Sequence, residues 1–276
     1  MRRIMVAVDW SDGSVVAVRR AALLAHQEEA ALHILHVMPQ GAKSDRVIAA
    51  QDRMHSFESG GFLGHPVADG ISTAIRFGWP AAVILDEARR KKVATIVLGR
   101  NPPAGRRPSF SGIAQKLLRD GRVPVLVATN PTIEPYRRLL VAVDSDRMTD
   151  EMALAFAMPA VESIHVVHAF HAPFEAFLPR EEVLAFVRLE EREDLDRAMR
   201  EVRERFPGVT VPVHADLKEG EVVPVLARAL SELAPDLLVI GNHGRTGISR
   251  MFHGSFADAI LETLAFDTLI AAPRRW

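Results

Sequence analysis

The sequence predicts an α/β protein built from two tandem, doubly wound domains with parallel sheets. An internal repeat is the first observation: RRIMVAVD at 2–9 returns as RRLLVAVD at 137–144, and three further segments recur in the same order. The second observation is that each copy alternates short β-branched runs with amphipathic helical patterns. Strands that are apolar throughout indicate a parallel sheet covered by helices on both faces.

Each copy contains five strand-like segments. In the first copy we expect strands near 4–8, 32–38, 70–77, 94–98 and 124–128. The segment NPTIEP at 130–135 has two prolines and no apolar periodicity, which is typical of a linker. We therefore expect one domain over 1–130 and another over 136–276. In the second copy the strands are LLVAVD (139–144), SIHVVHAF (163–170), VTVPVHAD (209–216), LLVIG (237–241) and TLIAA (268–272), with helices around 148–158, 180–206, 221–234 and 255–266.

Composition excludes several classes of function. The chain has 276 residues and a formal charge of −1, so it carries no overall field that would attract nucleic acid or an anionic membrane. It has no cysteine, which excludes disulfides, thiolate catalysis and cysteine-ligated zinc. No signal-peptide pattern and no stretch near eighteen apolar residues occurs, so we expect a cytoplasmic protein without nucleic-acid or membrane partners.

The loop after the fourth strand of the second copy, GNHGRTGISRMFHGSF at 241–256, is rich in glycine. Gly241 follows a buried strand, and Gly244 allows main-chain amides to approach a bulky anion. Ser255 is a good N-cap for the next helix, and helix N-termini attract phosphate. The loop lacks the lysine of a Walker-type site and is not a GxGxxG fingerprint. It is interpreted as a phosphate-binding loop, and a plain connection is the alternative.

The two copies resemble the universal stress protein family over essentially the whole chain. The nucleotide-binding motif of that family, Gly-x2-Gly-x9-Gly-Ser, stands intact in the second copy, and the first-strand aspartate of the family falls on Asp9 and Asp144. The resemblance implies Rossmann-like five-stranded sheets related by a pseudo-twofold axis. It also implies that the fifth strands of the two domains pair antiparallel within the chain, and it leaves a homodimer open. The motif residues here are Gly241, Gly244, Gly254 and Ser255, and the wider signature adds His243, Arg245, Thr246 and Gly247.

The resemblance also implies roles for individual residues in binding ATP, with or without Mg²⁺. Gly241 and Gly244 are expected to contact ribose and phosphates, and Gly254 and Ser255 to bind the phosphates. Asp144 is expected to line the pocket, and Ala169 to pack on adenine. His243 and Arg245 belong to the loop, and His243 is either a phosphate contact or a residue that shapes the loop. Phe256 stands where the family often has valine or threonine, and its bulk narrows the pocket.

The first copy departs from the motif. The alignment places Pro102 at the position of Gly244 and Ile113 at that of Ser255. Proline lacks an N–H and fixes its backbone, and isoleucine removes the capping hydroxyl. Gly99, Gly112 and Asp9 remain. We expect the first copy to be a folding and pairing partner, with a working first site as the alternative.

Three functions remain open from the sequence. The first is an adenine-nucleotide-binding stress-response protein whose ATP is a regulatory or stabilising ligand. The second is a slow ATPase or nucleotidyl-transfer enzyme, in which Asp144 holds Mg²⁺ and His243 assists the leaving phosphate. The third is an interaction module that needs no nucleotide. Because no general base, Mg²⁺ carboxylate pair or Walker lysine is evident, no catalytic residue is assigned and hydrolysis is expected to be slow at most.

Two further patterns are interpreted as structural. His165, His168 and His171 are spaced by three, which places successive side chains on opposite faces of a strand and suits no single metal. The charged helix over 180–206 is expected to be mainly a solvated face. Leu184, Val187 and Leu195 are its candidates for an oligomer contact.

Overall fold

The computed structural model describes residues 2–58, 66–67, 70–100, 112–120, 122–144, 148–171, 180–241, 264 and 266–272. The chain divides into two compact units, one of Met1–Pro135 with Gly254–Ala272 and one of Tyr136–His253 with Pro273–Trp276. Both are α/β with mainly parallel strands, so the predicted fold class is confirmed. The domain boundaries at 130 and 136 stay a prediction.

The first unit contains five parallel strands in the order β3-β2-β1-β4-β5. Every one of them lies within one residue of its predicted position. β1 and β2 lie centrally and are buried along almost their whole length, as expected for strands with helices on both faces. The strands are β1 (Arg3–Val8), β2 (Ala31–Met38), β3 (Ile71–Phe77), β4 (Thr95–Gly99) and β5 (Val125–Ala128).

Four helices belong to the described part of this unit. Ser11 caps the first of them, because its hydroxyl accepts the N–H of Ser14, and Asp12 lies in the first turn, where a negative charge is favourable. The segment WSDGS at 10–14 thus forms the N-cap and first turn of this helix. The helices are α1 (Asp12–Gln27), α2 (Ser44–Glu58), α3 (Pro80–Lys91) and α4 (Gly112–Asp120).

A strand from the end of the chain completes the first unit. β10 (Thr268–Ala271) lies antiparallel to β5, with Leu269 opposite Leu126. The four residues of β10 are buried, so the edge of β5 is covered. Most of the predicted helix over 255–266 lies outside the described residues, and Leu264 and Phe266 are not helical.

Over the residues that the structure describes, the second unit has four parallel strands in the order β9-β6-β7-β8. Leu195, predicted as an oligomer contact, is wholly buried, so that prediction is wrong for this residue because it packs in the core. The elements are β6 (Arg138–Val143), α5 (Met148–Ala157), β7 (Ser163–Phe170), α6 (Arg180–Arg205), β8 (Val213–Glu219), α7 (Val222–Leu233) and β9 (Leu237–Gly241).

The strand predicted over 209–216 lies a few residues further along the chain in the structure. β8 begins only at Val213 and continues to Glu219, opposite Phe170. Pro212 has no N–H to donate, but its carbonyl accepts the N–H of Ile164. Regular pairing therefore starts after the proline. In the described part of the chain, no helix is long and apolar enough to cross a membrane.

Candidate functional site

Three of the predicted ligand residues lie at the carboxyl ends of three adjacent strands. Asp144 follows β6, Ala169 is near the end of β7, and Gly241 ends β9. The chain proceeds from β6 to β7 and β8 and then returns to β9 on the other side of β6, so strand order reverses between β6 and β9. Ligands of doubly wound sheets bind at such a point. Asp144 and Gly241 are half-buried, and Ala169 is 6% exposed.

Gly241 makes a close contact with a buried acid. A Cβ placed on Gly241 would lie 2.0 Å from Oε1 of Glu151, which is in the first turn of α5. Glu151 itself is 3% exposed. The absence of a side chain at 241 therefore has a cause within the protein, in addition to any ligand.

Glu151 is a site residue that the sequence analysis missed. The offset of the repeat places Val16 at its position in the first copy. A carboxylate that replaces an apolar residue, in the turn of helix after Asp144, is the signal that would have found it. Glu151 and Asp144 together give this edge of the sheet two acidic side chains.

The remaining predicted ligand residues lie outside the described residues. They are His243, Gly244, Arg245, Gly254, Ser255 and Phe256.

The equivalent aspartate of the first copy is bonded to its own loop. Oδ1 of Asp9 accepts the hydroxyls of Ser11 and Ser14, both at 2.5 Å, and the N–H of Ser11 at 3.1 Å. Burial acts to raise the pKa of Asp9, but these hydrogen bonds outweigh it and the pKa lies below its usual value. Asp9 is therefore a charged anchor for the start of α1.

The glycine at the end of β4 is also explained by packing. A Cβ on Gly99 would lie 2.0 Å from the carbonyl oxygen of Gly13, and a Cβ on Gly13 would lie 2.2 Å from that of Arg100. The end of β4 thus lies directly against the first turn of α1. α4 begins at Gly112, so Ile113 lies in its first turn and brings no hydroxyl of its own.

Trp10, next to Asp9, has an unusual backbone conformation. Its φ is 67°, in the left-handed region that bulky residues avoid. Its Nε1–H donates to Nε2 of His36 at 3.0 Å, its ring stacks on Phe57, and the guanidinium of Arg53 lies 5.4 Å from the ring centroid. These contacts hold the strained residue in place.

A cavity of about 250 Å³ lies away from the predicted site. It is lined by the ends of α5 and α6 and the start of β8, at the amino edge of the second sheet, mainly by apolar side chains such as Phe156, Val202 and Phe206. The described candidate ligand residues, Asp144, Ala169 and Gly241, lie at the carboxyl edge, so this cavity is separate from them. No group of three or more metal-binding side chains occurs among the described residues.

Fold and site define a duplicated α/β protein with its candidate ligand residues at the topological switch point of the second sheet. The model of the universal stress protein family matches residues 1–129 and again 135–271. The chain therefore belongs to the universal stress protein family, as a tandem member with two copies of the domain.

Solved structures of similar size share this fold. A functionally unknown protein from Pseudomonas aeruginosa PAO1 has a TM-score of 0.70 at 21% identity, covering 99% of this chain and 93% of that one. A universal stress protein from Archaeoglobus fulgidus DSM 4304 has a TM-score of 0.65 at 16% identity, covering 98% of each chain. No curated protein matches.

A shorter relative was solved with a nucleotide. It is a universal stress protein from Archaeoglobus fulgidus in complex with dAMP, with a TM-score of 0.39 at 22% identity, covering 46% of this chain and 98% of that one.

Proposed function

We propose that the second copy binds an adenine nucleotide, ATP with Mg²⁺, as a regulatory or stabilising ligand in a stress response. The observation that carries this proposal is the convergence of Asp144, Ala169 and Gly241 at the switch point of the second sheet. The intact Gly-x2-Gly-x9-Gly-Ser spacing supports it from the sequence. Fifth-strand pairing of the two domains and a cytoplasmic location belong to the same proposal.

The chemistry of the site favours a nucleotide that arrives with a cation. Asp144 and Glu151 put two carboxylates at this edge, next to the loop that would hold the phosphates. Mg²⁺ prefers oxygen ligands, and carboxylates supply them. Asp144 and Glu151 are the described residues that would hold Mg²⁺, and the cation would neutralise the phosphates.

The first copy is proposed to bind no nucleotide. The carboxylate of Asp9 already accepts three hydrogen bonds from Ser11 and Ser14, and Ile113 offers no hydroxyl. We therefore expect one nucleotide per chain.

Calorimetry and thermal shift test this function together. Mg–ATP at about 100 times its Kd should stabilise the protein by about 2.7 kcal/mol, and calorimetry should give a stoichiometry near one. Asp144→Asn should weaken binding, and its matched control, Asp9→Asn in the first copy, should leave affinity unchanged. Two equivalent sites, or no shift with ATP or AMP, would contradict the proposal.

Slow hydrolysis is a second candidate function, favoured by the same two carboxylates. It predicts a release of phosphate above background that Asp144→Asn and Glu151→Gln abolish. If these variants hydrolyse ATP at the rate of the unchanged protein, the site is not an ATPase.

A further inference from the structure

Two histidines occupy the same position in the two copies and have different surroundings. His36 lies in β2 and His168 in β7, and both are buried, at 9% and 4% exposure. In each, Nδ1 lies close to the carbonyl oxygen of the last residue of the neighbouring strand, Val8 at 2.8 Å and Val143 at 3.0 Å. The two copies differ in the group that faces Nε2.

Hydrogen-bond chemistry gives the two rings different charges, neutral for His36 and positive for His168. Nε2 of His36 faces the indole N–H of Trp10, which can only donate, so His36 is neutral and carries its proton on Nδ1. Nε2 of His168 lies 2.9 Å from a carboxylate oxygen of Glu191. Both neighbours of His168 are acceptors, so its bonds are complete only when each ring nitrogen carries a proton. His168 and Glu191 then form an ion pair.

We propose that His168 is a positioning residue for the nucleotide site of the second copy and acts in its doubly protonated form. The proposal rests on the proposed function. Val143 directly precedes Asp144, and His168 directly precedes Ala169, so the ring joins the ends of the two strands that present these ligand residues. Through Glu191, the ring also contacts a third element, helix α6.

Loss of one proton breaks this arrangement. A neutral ring that donates to Val143 turns the lone pair of Nε2 toward the carboxylate of Glu191, and the two repel. The connection between α6 and the strand ends is then lost. Nucleotide affinity is consequently higher when the ring of His168 carries two protons than when it carries one.

The other charged groups around His168 do not replace Glu191. One turn earlier on α6, Arg188 pairs with Glu219 of β8 at 3.5 Å. Also on β8, Lys218 pairs with Asp216 at 3.7 Å, while the residue opposite His168 in the register is Leu217. α7 also packs on β7, but none of its charged side chains forms an ion pair with His168.

Acidic residues predominate on the remaining elements near His168. β6 is followed by Asp144, and the first turn of α5 carries Asp150 and Glu151.

Imidazole NMR of the full chain reads the charge states without any ligand. Two-bond ¹H–¹⁵N spectra at about pH 7 should show His168 with two protonated nitrogens and His36 as the Nδ1–H tautomer. A singly protonated His168 at that pH would overturn the proposal. This measurement needs no variant, so it holds even if a substitution prevents folding.

Calorimetry with Mg–ATP at about pH 6 and about pH 8.5 then tests the positioning role. Glu191→Gln should bind about tenfold more weakly at the lower pH and lose the pH dependence that this pair contributes, because one charge-assisted hydrogen bond is removed. Glu190→Gln removes the adjacent exposed acid and should keep the original pH profile, which also corrects for the titration of ATP itself.

The outcomes separate the two proposals. Identical pH profiles for the unchanged protein and Glu191→Gln would overturn the role of His168 while the nucleotide function stands. No binding at either pH would overturn the nucleotide function and the positioning role with it, although the NMR charge states would still be measured.

Discussion

Arg20 and Asp267, which come from opposite ends of the chain, form a buried ion pair inside the first unit. Nη2 of Arg20 lies 3.3 Å from Oδ2 of Asp267, and the side chains are 2% and 1% exposed. Arg20 also donates to the carbonyl oxygens of Glu134 and Thr132 in the linker segment. Helix α1, the linker and the residue before β10 are thus fixed at one point.

Removal of Asp267 should destabilise the protein strongly. In Asp267→Ala the guanidinium of Arg20 stays buried without its counter-charge, and the N–H groups of Thr129 and Asn130 lose their acceptor. We expect a loss of about 3–5 kcal/mol in the free energy of unfolding, measured with urea.

An exposed ion pair is the matched control for Asp267. Arg137 and Glu162 pair on the surface of the second unit, where both side chains are more than half exposed. Glu162→Gln should cost less than about 1 kcal/mol. Equal losses in the two variants would show that burial of the Arg20–Asp267 pair has no special effect.

Gly241→Ala should be destabilising because of Glu151. The added methyl would meet a carboxylate oxygen at 2.0 Å, so either the side chain or the strand end has to move. We expect a loss of about 1–3 kcal/mol. Gly208→Ala, with no atom near the new methyl, is the control and should change stability by less than about 0.5 kcal/mol.

A double-mutant cycle isolates the contact. In the background of Glu151→Ala the cost of Gly241→Ala should nearly disappear, since the colliding group is gone. If the cost is unchanged in that background, the requirement for glycine has another origin.

Strand positions followed closely from the sequence because apolar, β-branched runs in a parallel sheet are buried on both faces. The segment SIHVVHAF matches β7 to the residue. The segment VTVPVHAD matches less well, because its proline interrupts the pairing pattern and shifts the start of β8 to Val213. Periodicity alone does not locate such a start.

The side-chain partners of the site could not be predicted from the sequence. His36 and His168 stand in the similar segments LHILHV and IHVVHA, yet Trp10 faces one and Glu191 the other. The repeat accounts for the shared carbonyl contact, because the two histidines occupy equivalent positions of equivalent strands, β2 and β7. The second partner comes from another element and depends on tertiary packing.

Trp10→Phe should weaken the loop at the start of α1. Phenylalanine keeps an aromatic ring against Phe57 but leaves Nε2 of His36 without its donor. We expect a loss of about 1 kcal/mol in urea unfolding. Trp79→Phe is the control, since Trp79 is 82% exposed, and it should stay within about 0.5 kcal/mol. Losses of the same size would exclude a role for the indole N–H.

His33 should make the first unit sensitive to mild acid. Its ring is buried, with Nδ1 2.8 Å from the hydroxyl of Ser72 and Nε2 3.2 Å from Glu87. Burial lowers the pKa of His33 and outweighs the opposing charge of Glu87, so the native ring resists protonation. The unfolded chain binds the proton first, below about pH 6.5.

The free energy of unfolding should therefore fall as the pH drops from about 7 to about 5, by at most about 1.4 kcal/mol per pH unit for this one proton. The pKa of Glu87 is also lowered: burial acts to raise it, but Arg76, Arg90 and His33 outweigh that effect. The stability that the charged form of Glu87 contributes is therefore lost only when the pH falls below 4.5, the pKa of this group in the unfolded chain. That pH lies outside this window. Urea unfolding measured at several pH values across this window should give a free energy of unfolding that depends less steeply on pH in His33→Gln than in the unchanged protein. His55→Gln, on the exposed side of α2, should keep the original slope, and a slope for His33→Gln as steep as that of the unchanged protein would contradict the assignment.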